Sequence, residues 1–388
     1  MNQTTIALDE IFNQEPDAVI VAVQERIRTR LDRHQHSVIV FGTGQLGRMT
    51  LEGLRRIGKP PVAFADNNPA LRGATVEGVV VLSPDEARRE FPESLFCVAV
   101  YTNAPVLEQL RGMGSEFITF AELAWCYPNE FPPHGAVEFP HKIFAEEESV
   151  RAAFDLWRDD VSREEYLGQL RWRTTLDPAT LPAHSPVEET YFPSDLFEFQ
   201  PDDVFVDCGA FNGDSIRAFL QRVGDNFGAA VGLEPDPQNR KNFEAWRATL
   251  PESTARKVQV LPYASSAKAE TLRFDSTGTA GSALGAGEIE VEARPLDQVA
   301  AEFHPTFIKM DIEGAEPAAV TGATGIIQKQ QPIMAVCLYH AQEHLWQIPL
   351  LIQRLNPEYK LFLRRYSDEC WEIVCYAVPA ARLKQPTG

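Results

Sequence analysis

The sequence lacks any run of about 18 apolar residues, the length that a membrane-spanning helix requires. Its N-terminal segment, MNQTTIALDEIFNQEPDAV, also lacks the basic start and the apolar centre of a signal peptide. The six cysteines form no CxxC pair and no compact disulfide spacing, and most of them lie in apolar runs. These absences predict a cytoplasmic protein with reduced, buried thiols and no membrane partner.

Positive charge is also scarce in this sequence. There are 36 lysines and arginines against 55 aspartates and glutamates, so the formal net charge is −19. This balance disfavours a broad attraction to nucleic acid or to anionic lipid, although a local basic groove would be compatible with it. We therefore expect a small-molecule or glycan substrate and no nucleic-acid partner.

The length of the chain and its pattern of apolar runs indicate two α/β domains. Its 388 residues exceed the usual size of one domain, and 44% hydrophobic residues suffice for packed cores. Short apolar runs alternate with helical stretches twice, first from Ser37 and again from Val204, which is typical of parallel sheets. We predict a Rossmann-like domain over residues 1–142, a helical connector over 143–190 and a second domain over 191–388.

The first domain contains a glycine-rich turn in the segment VIVFGTGQLGRMT. Gly42, Gly44 and Gly47 satisfy the G-x-G-x-x-G pattern, and Asp66 follows Gly42 by 24 positions at the end of the next apolar run. This is the outline of a dinucleotide fingerprint, in which the glycines approach a phosphate and the acid holds a ribose. The same glycines would also serve a tight crossover without any ligand. The domain shows about three strands where a full dinucleotide fold needs about six, which disfavours NAD. An NAD(P)-dependent oxidoreductase remains an alternative.

The second domain opens with a different turn, VFVDCGAFNGDS. Its carboxylates would repel a pyrophosphate but suit a ligand that carries an ammonium group and a ribose. Glu234, in GLEPDP at the end of the next apolar run, is placed to accept the ribose hydroxyls. Together these features favour S-adenosylmethionine as the cofactor. The candidate cofactor-binding residues are Asp207, Gly209, Asn212, Gly213, Asp214 and Glu234.

An acidic segment, TFIKMDIEGAEPAAV, follows a later strand of the same domain. Asp311 is placed at the carboxyl end of that strand, beside the predicted cofactor strand, and His340 ends the next strand. We predict that His340, Asp311 and Glu313 are the catalytic residues, with His340 as a general base. The same three residues could instead bind a divalent ion that lowers the pKa of an acceptor hydroxyl. Glu316, next to Pro317 at the start of a helix, is interpreted mainly as a capping residue.

Several ordered motifs resemble the FkbM family of S-adenosylmethionine-dependent methyltransferases. They are VFVDCGAFNGDS, GLEPDP, FIKMDIEGAE, CLYH and the closing LRRYS and WEIVCYAVP, spread over roughly residues 190–380. The resemblance implies a class I Rossmann-like methyltransferase sheet of seven strands, whose final hairpin inserts one antiparallel strand. It also implies methyl transfer, commonly to a hydroxyl of a sugar or secondary metabolite. It assigns Asp207, Gly209 and Gly213 to the cofactor turn, Glu234 to the ribose, and Asp311, Glu313, Gly314 and Glu316 to an acidic DxEGxE segment.

The first domain resembles the small Rossmann-like domains that accompany carbohydrate-modifying enzymes. Such domains bind nucleotide sugars or act as docking modules, and this would make Gly42, Gly44, Gly47 and Asp66 a phosphate site on the substrate side. A purely structural role, or a role in forming a homodimer, is an equal alternative. A noncatalytic nucleotide-sugar-binding protein is the second alternative for the whole chain.

Overall fold

The structure is a computed structural model that describes residues 3–34, 37–131, 137–275, 283–284 and 289–384. It separates into two units. The first contains the described residues up to 147 together with 167–183 and 367–371, and the second contains 148–166, 184–366 and the described residues from 372 onwards. The segment predicted as a connector, 143–190, is therefore divided between the two units. The proline-rich stretch that suggested the first boundary lies partly outside the described residues, at 132–136.

The first unit is built on a six-stranded sheet with the order β3-β4-β2-β1-β5-β6. Its strands are β1 (Val38–Phe41), β2 (Ala63–Ala65), β3 (Thr75–Val76), β4 (Val79–Leu82), β5 (Leu95–Val98) and β6 (Glu116–Thr119). Its helices are α1 (Gln3–Phe12), α2 (Pro16–Arg33), α3 (Gln45–Arg56), α4 (Pro84–Glu90), α5 (Ala104–Gly112), α6 (Phe120–Cys126) and α7 (His141–Ala145). All strand pairs are parallel except β3 with β4.

The expectation of about three strands in this unit was wrong. β3 has only two residues, and β6 begins with the exposed Glu116, so neither forms an apolar run of the usual length. β4 is followed almost directly by α4, so its apolar residues run into a helical stretch and are not separated from it as a strand. The strand count therefore no longer counts against a nucleotide ligand here. The central strand β1 is fully buried, as expected for a parallel strand covered on both faces.

Two helices follow in the segment predicted to be helical, α8 (Glu147–Phe154) and α9 (Asp160–Thr175). The second unit then forms a seven-stranded sheet with the order β16-β17-β15-β14-β7-β8-β9. These strands are β7 (Val204–Cys208), β8 (Ala229–Leu233), β9 (Val258–Leu261), β14 (Phe307–Met310), β15 (Ile333–Cys337), β16 (Lys360–Arg365) and β17 (Ile373–Val378). β17 pairs antiparallel with both β15 and β16, and the other pairs are parallel. This confirms the Rossmann-like methyltransferase fold and its terminal hairpin.

Helices connect the strands of the second unit. They are α10 (Asp214–Val223), α11 (Pro237–Arg247), α12 (Glu252–Ala255), α13 (Leu296–Val299), α14 (Glu316–Gly322), α15 (Thr324–Lys329) and α16 (His344–Leu355). A smaller sheet with the order β10-β13-β11-β12 was not predicted. Its strands are β10 (Tyr263–Ser265), β11 (Glu270–Asp275), β12 (Ala283–Leu284) and β13 (Ile289–Arg294). The helix predicted near Pro317 is confirmed as α14.

An aromatic cluster holds the central strands of the second unit together. Phe205 of β7 stacks on Phe307 of β14 with ring centroids 5.3 Å apart, and it also packs on Phe219 of α10 at 5.1 Å. Phe192 lies against Phe205 and Phe307 at 5.7 and 5.6 Å. Each such pair contributes about 0.5–1.5 kcal/mol beyond its area burial. The cluster therefore fixes β7 against β14, so that the loops after these two strands meet at one edge of the sheet.

The prediction of buried cysteines is confirmed. All six cysteines are buried and free of disulfide bonds. Within the described ranges, no helix combines the length and the apolarity needed to cross a bilayer.

Candidate active site

A cavity of about 360 Å³ opens at the carboxyl edge of the seven-stranded sheet. This volume lies within the range of about 300–1,000 Å³ that small-molecule pockets occupy. The loops after β7, β8 and β14 supply most of its wall, which is where ligands bind in parallel α/β sheets. Its lining includes Gly209 and the charged residues Asp214, Glu234, Lys309, Asp311 and Glu313.

The glycine turn after β7 has a conformation that requires glycine at two positions. Gly209 has φ +82°, and a Cβ atom there would lie 2.1 Å from the carbonyl oxygen of Asp311. Gly213 has φ +84°, and a Cβ atom would lie 2.7 Å from the ring of Trp246. The first glycine therefore allows the loops after β7 and β14 to touch, and the second allows α10 to start against α11.

The other predicted residues of this turn have separate positions. Asp214 lines the cavity and begins α10, where its Oδ1 accepts a hydrogen bond from the amide of Ser215 at 2.8 Å. Asn212 does not line the cavity, and its side-chain oxygen accepts from Arg217 at 2.8 Å. The guanidinium of Arg217 lies 4.9 Å from the ring centroid of Trp246. The turn thus presents Gly209 and Asp214 to the cavity and uses Asn212 to secure its far side.

Glu234 follows β8 and is almost fully buried, with its carboxylate at the cavity wall. Its Oε2 accepts a hydrogen bond from the amide of Phe211 at 2.8 Å, and its Oε1 accepts one from the amide of Asp236 at 2.7 Å. Burial raises the pKa of Glu234 to about 7, although these backbone bonds act in the opposite direction. Each oxygen retains lone-pair capacity for a ligand hydroxyl.

Asp207 lies behind the cavity wall and does not line it. Its Oδ1 lies 3.0 Å from Nζ of Lys309, which lines the cavity and also donates to the carbonyl oxygen of Gly209 at 3.1 Å. Burial alone would lower the pKa of Lys309, but the neighbouring carboxylates of Asp207 and Asp311 raise it above its usual value. Lys309 is therefore a buried ammonium that neutralises Asp207, and the sequence interpretation did not single it out. A lysine inside the apolar strand FIKM was the available signal.

Asp311 is held by two tyrosine hydroxyls. Tyr191 donates to Oδ2 at 2.7 Å and Tyr339 donates to Oδ1 at 3.0 Å. Burial acts to raise the pKa of Asp311, but the positive charges of Lys309 and His340 lower it below its usual value. Tyr191 lines the cavity and also orients this carboxylate.

The structure brings the three predicted catalytic residues together. His340 Nε2 lies 3.4 Å from Asp311 Oδ1 and 3.6 Å from Glu313 Oε2. The opposite ring nitrogen, Nδ1, lies 2.8 Å from Glu316 Oε1. Burial acts to lower the pKa of His340, but the close contact with Glu316 and the other nearby acids outweigh it and raise the pKa to about 9.

Glu316 lies in the first turn of α14, where its charge offsets the helix dipole as expected, but its side chain does not cap the helix by a hydrogen bond. Its Oε1 accepts from the amide of Ile312 at 2.8 Å, which lies ahead of α14, and the cap of α14 at Ala315 makes no side-chain bond. The glutamate side chain contacts His340, and Gly314 in the loop before it has φ +102°, a conformation that favours glycine. Glu372 lies just before β17 and lines the same cavity, and burial raises its pKa to about 7. The sequence did not single it out.

In the first unit the three glycines have distinct surroundings. A Cβ atom on Gly42 would lie 2.9 Å from the carbonyl oxygen of Ala99, and one on Gly47 would lie 2.0 Å from that of Gly42, whereas Gly44 faces open space. Asp66 does not stand free at the end of β2: its Oδ2 accepts from the amide and the hydroxyl of Thr43 at 3.1 and 2.7 Å. The acid therefore closes the glycine turn, and Gly44 is the glycine of this turn where an added Cβ atom would meet no neighbour.

Most of the second unit matches a known protein family. Residues 207–370 match the family model of the methyltransferase FkbM domain. The second unit carries an FkbM methyltransferase domain. Among solved structures, the methyltransferase FkbM of Methylobacillus flagellatus matches with a TM-score of 0.76 and 21% identity, over 96% of this chain and 99% of that chain. At this identity the likeness establishes the fold, and it extends over both units.

Two further solved structures are much less similar. The precorrin-6y C5,15-methyltransferase of Geobacter metallireducens has a TM-score of 0.31 and 14% identity, over 47% of this chain and 84% of that one. The UDP-D-quinovosamine 4-dehydrogenase of Vibrio fischeri has a TM-score of 0.19 and 23% identity, over 22% and 77%. No curated protein matches the chain. The match over residues 207–370 supports a methyltransferase and implies S-adenosylmethionine as the methyl donor.

Proposed function

We propose that the protein is an O-methyltransferase that transfers a methyl group from S-adenosylmethionine to a hydroxyl of a sugar or secondary metabolite. The observation that carries this proposal is one cavity whose lining contains two chemically different groups. Glu234 and Gly209 of the turn after β7 form the first group, named the cofactor wall, while Asp311 and Glu313 form the second, which His340 contacts from outside the lining. The first group suits the cofactor and the second suits an acceptor whose proton must be removed.

The cofactor wall fits S-adenosylmethionine in hydrogen bonding and in charge. Glu234 is held by two backbone amides, so its oxygens are fixed where they can accept the two ribose hydroxyls. The cavity is lined by more acids than bases, which suits a ligand with an ammonium and a sulfonium group. The sulfonium supplies an activated methyl group and a good leaving group.

His340 is the proposed general base. A hydroxyl oxygen becomes a better nucleophile as its proton leaves, and a well-placed histidine accelerates such a step by about 10²- to 10⁴-fold. In the free protein His340 holds its proton up to a pH near its pKa of about 9. A bound sulfonium would disfavour a second positive charge in the same cavity, which lowers this pKa towards neutrality.

A divalent ion is the alternative to the histidine base. Asp311, Glu316 and His340 each offer a ligand atom, and these atoms lie within 4.8 Å of one another. A metal there would lower the pKa of the acceptor hydroxyl. We favour the metal-free reaction because both oxygens of Asp311 already accept tyrosine hydroxyls and His340 Nδ1 already contacts Glu316.

For the first unit we propose a site at Gly44 that binds a phosphate group of the substrate. The proposal is the same for a homodimer and for a monomer. The support is the open space at Gly44 beside two glycines whose neighbours exclude a Cβ atom. This would fit a nucleotide-sugar acceptor. An NAD(P)-dependent oxidoreductase is the competing assignment for the same turn.

Binding and activity measurements test the proposal. Calorimetry should show binding of S-adenosylhomocysteine and no binding of NAD, and binding of NAD alone would overturn the assignment. His340→Ala should lower turnover by about 10²- to 10⁴-fold while the affinity for S-adenosylhomocysteine stays near that of the wild type. Activity that a chelator abolishes and Mg²⁺ restores would replace the base with a metal. Mass spectrometry of a deletion strain, searching for species lighter by one methylene, would identify the acceptor.

A further inference from the structure

Glu316 is a buried acid that joins three parts of the second unit. Its side chain has no exposed surface. Oε1 accepts from the amide of Ile312 and contacts Nδ1 of His340, both at 2.8 Å, and Oε2 lies 3.5 Å from Nδ1 of His344 at the start of α16. A buried carboxylate is strongly destabilising unless it is paired. The ion pairs that the structure gives Glu316 are both with histidines.

The contact with Glu316 determines the direction of the ring of His340, which does not itself line the cavity. Because Nδ1 is held on the Glu316 side, Nε2 lies on the opposite side of the ring, towards Asp311 and Glu313. The ring also packs on Tyr339 with centroids 4.2 Å apart, which restricts its rotation. His340 itself is nearly buried, with 9% of its side chain exposed. Its orientation is therefore a consequence of contacts from α14 and from the neighbouring tyrosine.

We infer that Glu316 is the positioning residue of the methyl transfer: it holds His340 with a proton on Nδ1 and with Nε2 free to face the acceptor hydroxyl. This inference rests on the proposed function. In the reaction, Nε2 of neutral His340 accepts the hydroxyl proton, the oxygen lone pair forms the new bond to the methyl carbon, and the electrons of the carbon–sulfur bond remain on sulfur. His340 then carries the proton as an imidazolium, and Glu316 stabilises that charge before the proton passes to solvent.

The charged surroundings of His340 show why Glu316 differs from the other acids. The titratable groups that face His340 are Asp311 and Glu313 after β14, Glu316 of α14, Tyr339 beside it and Glu372 before β17. Asp311 and Glu313 lie on the Nε2 side and line the cavity, so they face the acceptor. Glu316 contacts Nδ1 instead and does not line the cavity. It can act on the reaction only through the imidazole.

The tautomer of His340 in the wild-type protein gives the first test. Nitrogen NMR of ¹⁵N-histidine-labelled protein, assigned with His340→Gln, reports which ring nitrogen carries the proton. Above the pKa of His340, the neutral ring is expected to be protonated on Nδ1 and bare on Nε2. A neutral ring protonated on Nε2 would overturn the inference. This measurement needs no acceptor, so it stands even if the acceptor is not a hydroxyl.

Variants give the second test, with a matched control. Glu316→Gln keeps the shape but removes the charge, so the pKa of His340 should fall by more than one unit and the acid limb of kcat/KM should move with it. Turnover is expected to fall by about 10²-fold, with the affinity for S-adenosylhomocysteine unchanged within about threefold. Glu316→Asp, which keeps the charge, should restore most of the pKa of His340 but not the turnover.

The control separates positioning from helix stabilisation. Asp297 caps α15 through bonds to the amides of Gly325 and Ile326 at 2.7 and 2.9 Å, away from the cavity. Asp297→Asn should lower the melting temperature without changing the titration of His340. If Glu316→Gln behaves in the same way, Glu316 is structural and the inference fails. If Glu316→Gln does not fold, the tautomer of the wild-type protein decides.

Discussion

Glu234→Gln is the substitution that tests the cofactor site most directly. In the wild type, the two oxygens of Glu234 accept from the amides of Phe211 and Asp236 at 2.8 and 2.7 Å. Glutamine has nearly the same shape, but one of its terminal atoms donates hydrogen bonds and cannot accept them. One of the two amides must then face a donor. Alanine would leave both amides without an acceptor and is the less informative change.

The expected magnitudes follow from these contacts. One buried amide left without an acceptor should lower the free energy of unfolding by about 1–3 kcal/mol. The loss of a charged acceptor for a ribose hydroxyl should weaken cofactor binding by about 1.5–3 kcal/mol, which is roughly 10- to 150-fold in Kd. The two effects have different readouts, so a folded protein with weakened binding is the expected outcome.

The dependence on pH adds a second signature of Glu234. Its pKa is raised to about 7 by burial, so the carboxylate of the free protein is only partly ionised at neutral pH. The ionised form accepts ribose hydroxyls best, so the affinity of the wild type should rise between about pH 6 and pH 8. Glu234→Gln should remove that rise, because glutamine does not titrate.

Calorimetry with S-adenosylhomocysteine and unfolding in urea measure the two quantities. Glu244→Gln is the matched control, because it removes one negative charge of the same unit at a half-exposed side chain that pairs with Arg247 and does not line the cavity. The control should bind like the wild type. A folded Glu234→Gln that binds with unchanged affinity and an unchanged pH dependence would refute the assignment of Glu234 to the ribose.

Two further predictions concern stability. Raising the pH from about 7 to about 10 should lower the melting temperature, because folded His340 keeps its proton up to a pKa of about 9 while the unfolded residue releases it near 6.5, so the folded state binds more protons. Melting curves of His340→Gln should show a smaller slope, and an equal slope would contradict this origin. In the first unit, Gly47→Ala would place a Cβ atom 2.0 Å from the carbonyl oxygen of Gly42 and should lower the free energy of unfolding by about 1–3 kcal/mol. The Cβ atom of Gly44→Ala would meet open space, so this variant should change the free energy of unfolding by about 1 kcal/mol or less. The same variant should weaken the binding of a phosphate-bearing acceptor. Equal destabilisation of the Gly44 and Gly47 variants in urea would contradict this prediction.

Local chemistry made several features of the site readable from the sequence. The apolar run of β7 with the glycines after it predicts a strand and a turn, because only glycine adopts the positive φ of Gly209 and Gly213 without strain. Glu234 and Asp311 could be placed at one edge because the carboxyl ends of parallel strands share that edge. His340 ends the next strand and so reached the same region.

The pairing of side chains within that region was decided by the tertiary structure. Lys309 neutralises Asp207, and Glu316 turns back to His340, because of the curvature of the loop after β14 and the packing of α14 and α16 around it. Neither the spacing nor the polarity of these residues encodes that curvature. The two-residue strand β3 is equally unreadable: Thr75 and Val76 both favour strands, but two residues are too short a run to indicate one, and pairing with β4 orders them. The sequence by itself therefore determined which elements meet at the site, through local backbone preference and burial, while the side chain that each charged group contacts depended on three-dimensional packing.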